Sequence, residues 1–102
     1  MSWQAQARDA LGRGHSVTVR PRGHSMTPRI TSGARVTLEP VEDPDTLRVG
    51  DVVFYKVRGV WYLHRISAIQ GDRVQIANQR GRVNGWAGRR AVLGRATRID
   101  NL

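Results

Sequence analysis

The sequence predicts a mainly β domain: a small folded-over sheet or barrel carrying one short N-terminal helix. Three observations predict it. Short stretches of period-two alternation recur along the chain, separated by glycine- and proline-bearing turn signals. Two runs rich in β-branched and aromatic residues flank the two-residue gap Arg58-Gly59, a tight hairpin signature. The length, 102 residues, allows one modest core and not two. The expected division is a helix within residues 1–14 and a single β domain over 15–102.

Residues 2–12 place Trp3, Ala7, Ala10 and Leu11 at helical spacing, and Gly12 and Gly14 end the pattern. So short a helix is marginal alone and needs a surface to dock on. From Val17 the period becomes two, and Pro21 and Gly23 break the strand. A second strand is expected over Ala34–Leu38. The stretch from Glu39 to Arg48 carries Pro40, Pro44 and several acids and reads as a solvent loop.

The hairpin follows, Asp51–Val57 against Val60–Ile66. The two-residue turn sets its register: Val57 opposite Val60, Tyr55 opposite Tyr62 and Val53 opposite His64. Alternation then puts Val53, Tyr55, Tyr62, His64 and Ile66 on one face. Phe54, Lys56, Trp61, Leu63 and Arg65 take the other. A shorter hairpin is expected from Ile66–Ile69 through Gln70-Gly71-Asp72 into Arg73–Ala77. Asn78–Arg90 reads as a polar, glycine-bearing segment, with Trp86 packed under it, and Ala91–Ile99 as the last strand.

Composition excludes several classes of function. With no cysteine there are no disulfides and no thiolate metal sites. His15 and His24 do not form a ligand set with the scattered acids, so neither metal nor cofactor is expected. No segment approaches the ~20 apolar residues of a membrane span, and the N-terminus lacks a signal-peptide layout, so a cytoplasmic location is expected. The formal net charge is +9, and Lys56 is the only lysine. Such a balance suits nucleic acid or an acidic partner, and equally a merely soluble surface. Nothing in the sequence speaks to oligomeric state.

Two clusters carry chemistry. Gly23-His24-Ser25-Met26-Thr27-Pro28 offers a hydroxyl on a sharp, rigidified turn. Leu63-His64-Arg65-Ile66 offers an imidazole, the side chain best matched to proton transfer near neutral pH. Between them lies Val49-Gly50-Asp51-Val52-Val53, and Val92-Leu93-Gly94-Arg95-Ala96 follows near the end. This ordered set, spanning Val17 to about Ile99, resembles the signal-peptidase and LexA-like serine peptidases.

The resemblance implies that Ser25 is the nucleophile and His64 the general base, in a Ser/His version of a site that often uses lysine. It implies a peptide or protein substrate, limited proteolysis of a precursor or of the chain itself, and an oxyanion site formed by main chain at Gly23 and Ser25. Where signal peptidases carry Gly-Asp-Asn, this sequence has Ile76-Ala77-Asn78-Gln79, so Asn78 is the candidate to orient His64. Neither the membrane anchor of signal peptidases nor the DNA-binding domain of LexA-like repressors is expected from these residues. Lys56, opposite Trp61 and on the other face from His64, reads as an exposed lysine covering the indole.

A second reading keeps the fold as an inactive module, of the kind a phage or mobile element encodes. Arg80, Arg82, Arg89 and Arg90 around Trp86 would then bind nucleic acid, phosphates on the guanidinium groups and a base on the indole, or an acidic protein.

Overall fold

Arg58 and Gly59 both have positive φ, 51° and 79°, the backbone of a two-residue hairpin turn whose twist matches its strands. The turn joins β3 (Val52–Val57) to β4 (Val60–Gln70). The register is the expected one, with Val57 opposite Val60, Tyr55 opposite Tyr62 and Val53 opposite His64.

Around this hairpin the computed structural model, which describes residues 2–101, builds one seven-stranded antiparallel sheet curled into a half-barrel. The other strands are β1 (Val17–Val19), β2 (Arg35–Pro40), β5 (Arg73–Ala77), β6 (Val83–Gly88) and β7 (Val92–Asp100). Their order across the sheet is β1-β2-β7-β3-β4-β5-β6. One helix, α1 (Trp3–Gly12), precedes them, capped at its N-terminus by the Ser2 hydroxyl. No helix among the described residues is long and apolar enough to cross a membrane.

Two departures from the sequence reading bear on the site. The arms expected at Val60–Ile66 and Ile66–Ile69 are one continuous strand, β4, which runs to Gln70, and Ser67 is an extra residue in its pairing with β5. The segment 78–90 is not all loop, because it contains the edge strand β6. Glycines at 85 and 88 weaken the strand signal there, and pairing with β5 on one side supplies the order that propensity lacks. Trp86 stands in this strand opposite Gln75, exposed instead of tucked under a loop.

Extra residues also interrupt β7, at Leu93 against β3 and at Thr97 against β2. Each such bulge bends its strand and adds local twist, so together they curl the sheet. The curl leaves apolar side chains clustered on both faces. Phe54 and Leu63 pack with Ala7 and Leu11 of α1 and with Met26 and Ile30. Val53, Tyr55 and Ile66 pack with Leu47, Val74 and Val92. β3 is therefore buried on both sides, as its unbroken apolar run Val52–Tyr55 requires. Trp3, Phe54 and Trp61 form an aromatic row: Phe54 and Trp61 stack at 4.6 Å, and Trp3 tilts against Phe54 at 5.8 Å.

Helix α1 docks over Gly94. A methyl group there would lie 2.6 Å from Leu11 Cδ1 and 3.2 Å from the Glu39 carbonyl oxygen. Gly94→Val should therefore lower stability by about 1–3 kcal/mol through overpacking. Gly88→Ala, where the same space is open, should change little. Thermal unfolding of the two variants beside the parent checks this; equal melting temperatures would show that α1 does not sit on Gly94.

Candidate active site

Ser25 lies in the loop between β1 and β2, exposed, with its neighbours fixed on every side. Met26 and Ile30 anchor the loop in the core beneath, and the Ile30 N–H donates to the Met26 carbonyl at 2.9 Å. The Gly33 N–H closes the loop onto the Pro21 carbonyl at 2.8 Å. From the C-terminal end, the Asn101 side chain accepts from the Thr31 N–H and donates to the Arg29 carbonyl. The Gln79 N–H donates to the carbonyl of Ser25 itself at 2.9 Å. Gly23 supplies a φ of 114° that other residues adopt only with strain.

His64 is the one polar or charged residue among those described that is buried, at 7% exposure. Its Nε2 lies 3.1 Å from Ser25 Oγ, and its Nδ1 lies 2.7 Å from Asn84 Oδ1. An amide oxygen only accepts, so Nδ1 carries the proton and Nε2 presents its lone pair to the hydroxyl. Tyr62, two residues away on the same face, packs its ring 5.4 Å from the imidazole. Burial pushes the His64 pKa below its ordinary value, and the hydrogen bond to Asn84 opposes the shift only in part. The ring is therefore neutral, the form a base needs, at neutral pH.

The amide that reaches His64 is that of Asn84, not Asn78. Asn78 Oδ1 accepts from the N–H groups of both Arg80 and Arg82, at 2.9 Å each, and so folds the turn between β5 and β6. Its carbonyl accepts from Arg65 Nε. Asn84 reaches the ring because it is the extra residue of a bulge: Val83 pairs with Ala77 and Gly85 with Ile76, leaving Asn84 between them. Gly85, at φ 138°, allows the kink. An Asn-Gly pair signals a bulge as well as a turn, and that was the available clue.

The expected oxyanion pair also divides. The Gly23 N–H donates to Ser32 Oγ at 3.1 Å and is spent there. The Ser25 N–H has no hydrogen-bond partner among the described residues, and neither have the N–H groups of His24 and Met26 on either side of it. Lys56 is exposed, with its ammonium 5.8 Å from the centre of the Trp61 ring. It is held by the indole and plays no part at Ser25.

The arginines proposed to form one patch around Trp86 do not converge. Arg89 turns its guanidinium onto the carbonyls of Gly71, Pro44 and Leu47, where it ties loops together. Arg80 and Arg82 precede β6 and Arg90 follows it, so the two groups stand roughly 20 Å apart at the ~3.3 Å rise of a strand.

A groove enclosing about 170 Å³ opens at Ser25 and His64. Its walls come from Trp3 and Gln4 of α1, from Met26 and Ile30, and from Trp61 and Leu63 of β4. The family model for signal peptidase, peptidase S26, matches residues 14–99. The chain belongs to this family. No curated protein is similar enough in sequence to count as a match. The matched segment holds all of Ser25, His64 and Asn84, while α1, with its contribution to the groove, lies outside it.

The hydrogen bond to Asn84 predicts a titration. The His64 ring should titrate below pH 6.5 by NMR, and Asn84→Asp should raise its pKa, because a carboxylate beside Nδ1 stabilises the imidazolium. The depressed pKa also fixes a sign for stability. As pH falls below 6.5 the unfolded chain takes up the proton first, so the stability from the neutral buried ring is whole above that value. It is lost as pH falls through the folded-state pKa. An imidazole that titrates at or above 6.5 in the parent would contradict the buried geometry.

Proposed function

We propose that this chain is a serine endopeptidase that performs limited proteolysis of a precursor or of itself. The observation that carries the reading is the relay of two contacts, Ser25 Oγ to His64 Nε2 at 3.1 Å and His64 Nδ1 to Asn84 Oδ1 at 2.7 Å. Membership of the peptidase S26 family supports it.

In the first half-reaction Nε2 takes the hydroxyl proton as Oγ bonds to the scissile carbonyl carbon, and the negative charge moves to the carbonyl oxygen. The Ser25 N–H, free of other partners, would donate to that oxyanion. The tetrahedral intermediate collapses, the C–N bond breaks, and the imidazolium gives its proton to the leaving amine. Water then attacks the acyl-serine with His64 again as base, releasing the acid and restoring the hydroxyl. Asn84 does not touch substrate. As a positioning residue it keeps the proton on Nδ1 and the lone pair of Nε2 toward Ser25. Unlike a carboxylate it adds no charge to stabilise the imidazolium, so the base stays weak and turnover slow.

The test joins labelling to mutation. A small alkyl fluorophosphonate should modify Ser25 and no other serine, and Ser25→Ala should abolish labelling. His64→Ala should slow it by about 10²–10⁴-fold, the usual contribution of a general base. Whatever proteolysis is assayed, Ser25→Ala/His64→Ala should be no worse than either single variant, because the pair acts as one unit. Rapid labelling of the His64→Ala protein would remove the base from the mechanism. A Ser25→Ala protein of parental stability that keeps the parent's biological effect, with no proteolysis in either, would leave the fold as a binding module for nucleic acid or an acidic protein.

A further inference from the structure

Two depressions meet at Tyr62, the residue packed on His64. One is the groove that holds Ser25 and His64. The other is lined by Val57, Val60 and Val83, with Asn84 at its inner end and Arg58 and Arg82 at its rim. Val60 and Val83 are about half exposed, at 49% and 50%, which leaves an apolar floor open to solvent.

The charges around these depressions are of one sign. Arg22 is the charged residue of the first, and Arg58 and Arg82 are those of the second; no aspartate or glutamate lines either. None of the three guanidinium groups has an ion-pair or hydrogen-bond partner among the described residues, and all three residues are exposed. The acids are gathered elsewhere. Glu39, Glu42 and Asp43 line one distant depression, and Asp45 and Asp72 another. Asp9, Asp51 and Asp100 are each paired with an arginine. A net charge of +9 spread evenly would not leave the dyad's surroundings free of carboxylates and the β2–β3 loop rich in them.

We propose that the two depressions form one substrate cleft for an acidic polypeptide segment, with carboxylates on both sides of the bond presented to Ser25 and apolar side chains between. The proposal rests on the endopeptidase reading for what happens to that bond, but not for its recognition. Arg22 faces carboxylates on one side of Tyr62, and Arg58 and Arg82 face those on the other. Val60, Val83 and the groove floor take the apolar residues. Exposed ion pairs are weak singly and screened by salt, so three together give a preference of about tenfold that vanishes when the Debye length falls to ~3 Å.

The experiment measures binding to the full-length Ser25→Ala protein, so that no turnover is needed. The probes are two ten-residue peptides, blocked at both ends, with the same alanine-valine centre flanked on each side by glutamates in one and glutamines in the other. Calorimetry at low salt should show the glutamate peptide bound about tenfold more tightly, and the preference should be gone in 1 M salt. R22Q/R58Q/R82Q should lose the preference. R20Q/R73Q/R90Q, with the same loss of charge outside the cleft, should keep it.

Equal or undetectable binding of the two peptides overturns the proposal, as does a matching loss in both triple variants. Tighter binding of a ten-nucleotide single-stranded DNA, abolished by R22Q/R58Q/R82Q, would assign the cleft to nucleic acid and overturn it too. Fluorophosphonate labelling of the parent protein separates the two readings. Selective glutamate binding without labelling upholds the cleft and removes the chemistry. Labelling without glutamate preference upholds the chemistry and removes the acidic substrate.

Discussion

A buried imidazole has two nitrogens, and an unsatisfied polar group away from water costs about 1–3 kcal/mol. His64 meets that demand through two different elements, the Ser25 hydroxyl on one side and the Asn84 amide on the other. Neither partner comes from the strands beside it in sequence. The ring can be buried only if the loop after β1 and the edge strand β6 both arrive at the same place. Much of the architecture serves that meeting: the bulge at Asn84, the turn folded around Asn78, and the pinning of the Ser25 loop by Met26, Ile30 and Asn101. Tertiary packing, more than local propensity, holds these segments.

The sheet supplies the reach. A flat sheet would set β1 and β6, its two edges, far apart, whereas bulges in β4, β6 and β7 curl it. Apolar clusters on both faces then make the curl rigid. α1 has little surface of its own to bury, and Gly94 gives its Leu11 a place to lie flat against β7. The same helix contributes Trp3 to the groove, so an element outside the family's matched region shapes the depression beside Ser25 and His64.

What the sequence made legible follows from the range of the interactions involved. The hairpin register could be read residue by residue because a two-residue turn fixes it locally. The approach of Ser25 to His64 came from an ordered set of motifs that resembles a known family, not from periodicity. Asn84 escaped because its role depends on a strand that glycine disguises, and because Asn-Gly reads first as a turn. Asn78 drew attention by its place in the motif, yet its amide is consumed by two N–H groups that only the folded turn brings to it. Arg89 looked like a free cation for the same reason: the carbonyls it binds belong to loops distant in sequence.

The contact between the Gln79 N–H and the Ser25 carbonyl has a dynamic meaning. Gln79 sits in the turn that leads into β6, and β6 carries Asn84. Ser25 and the orienting amide are thus roped to one short piece of backbone on opposite sides of the imidazole. A displacement of that piece would act on Ser25 through the Gln79 bond and on His64 through Asn84. The two contacts to His64 thus share one short stretch of backbone as a support and do not depend on the two edges of the sheet separately.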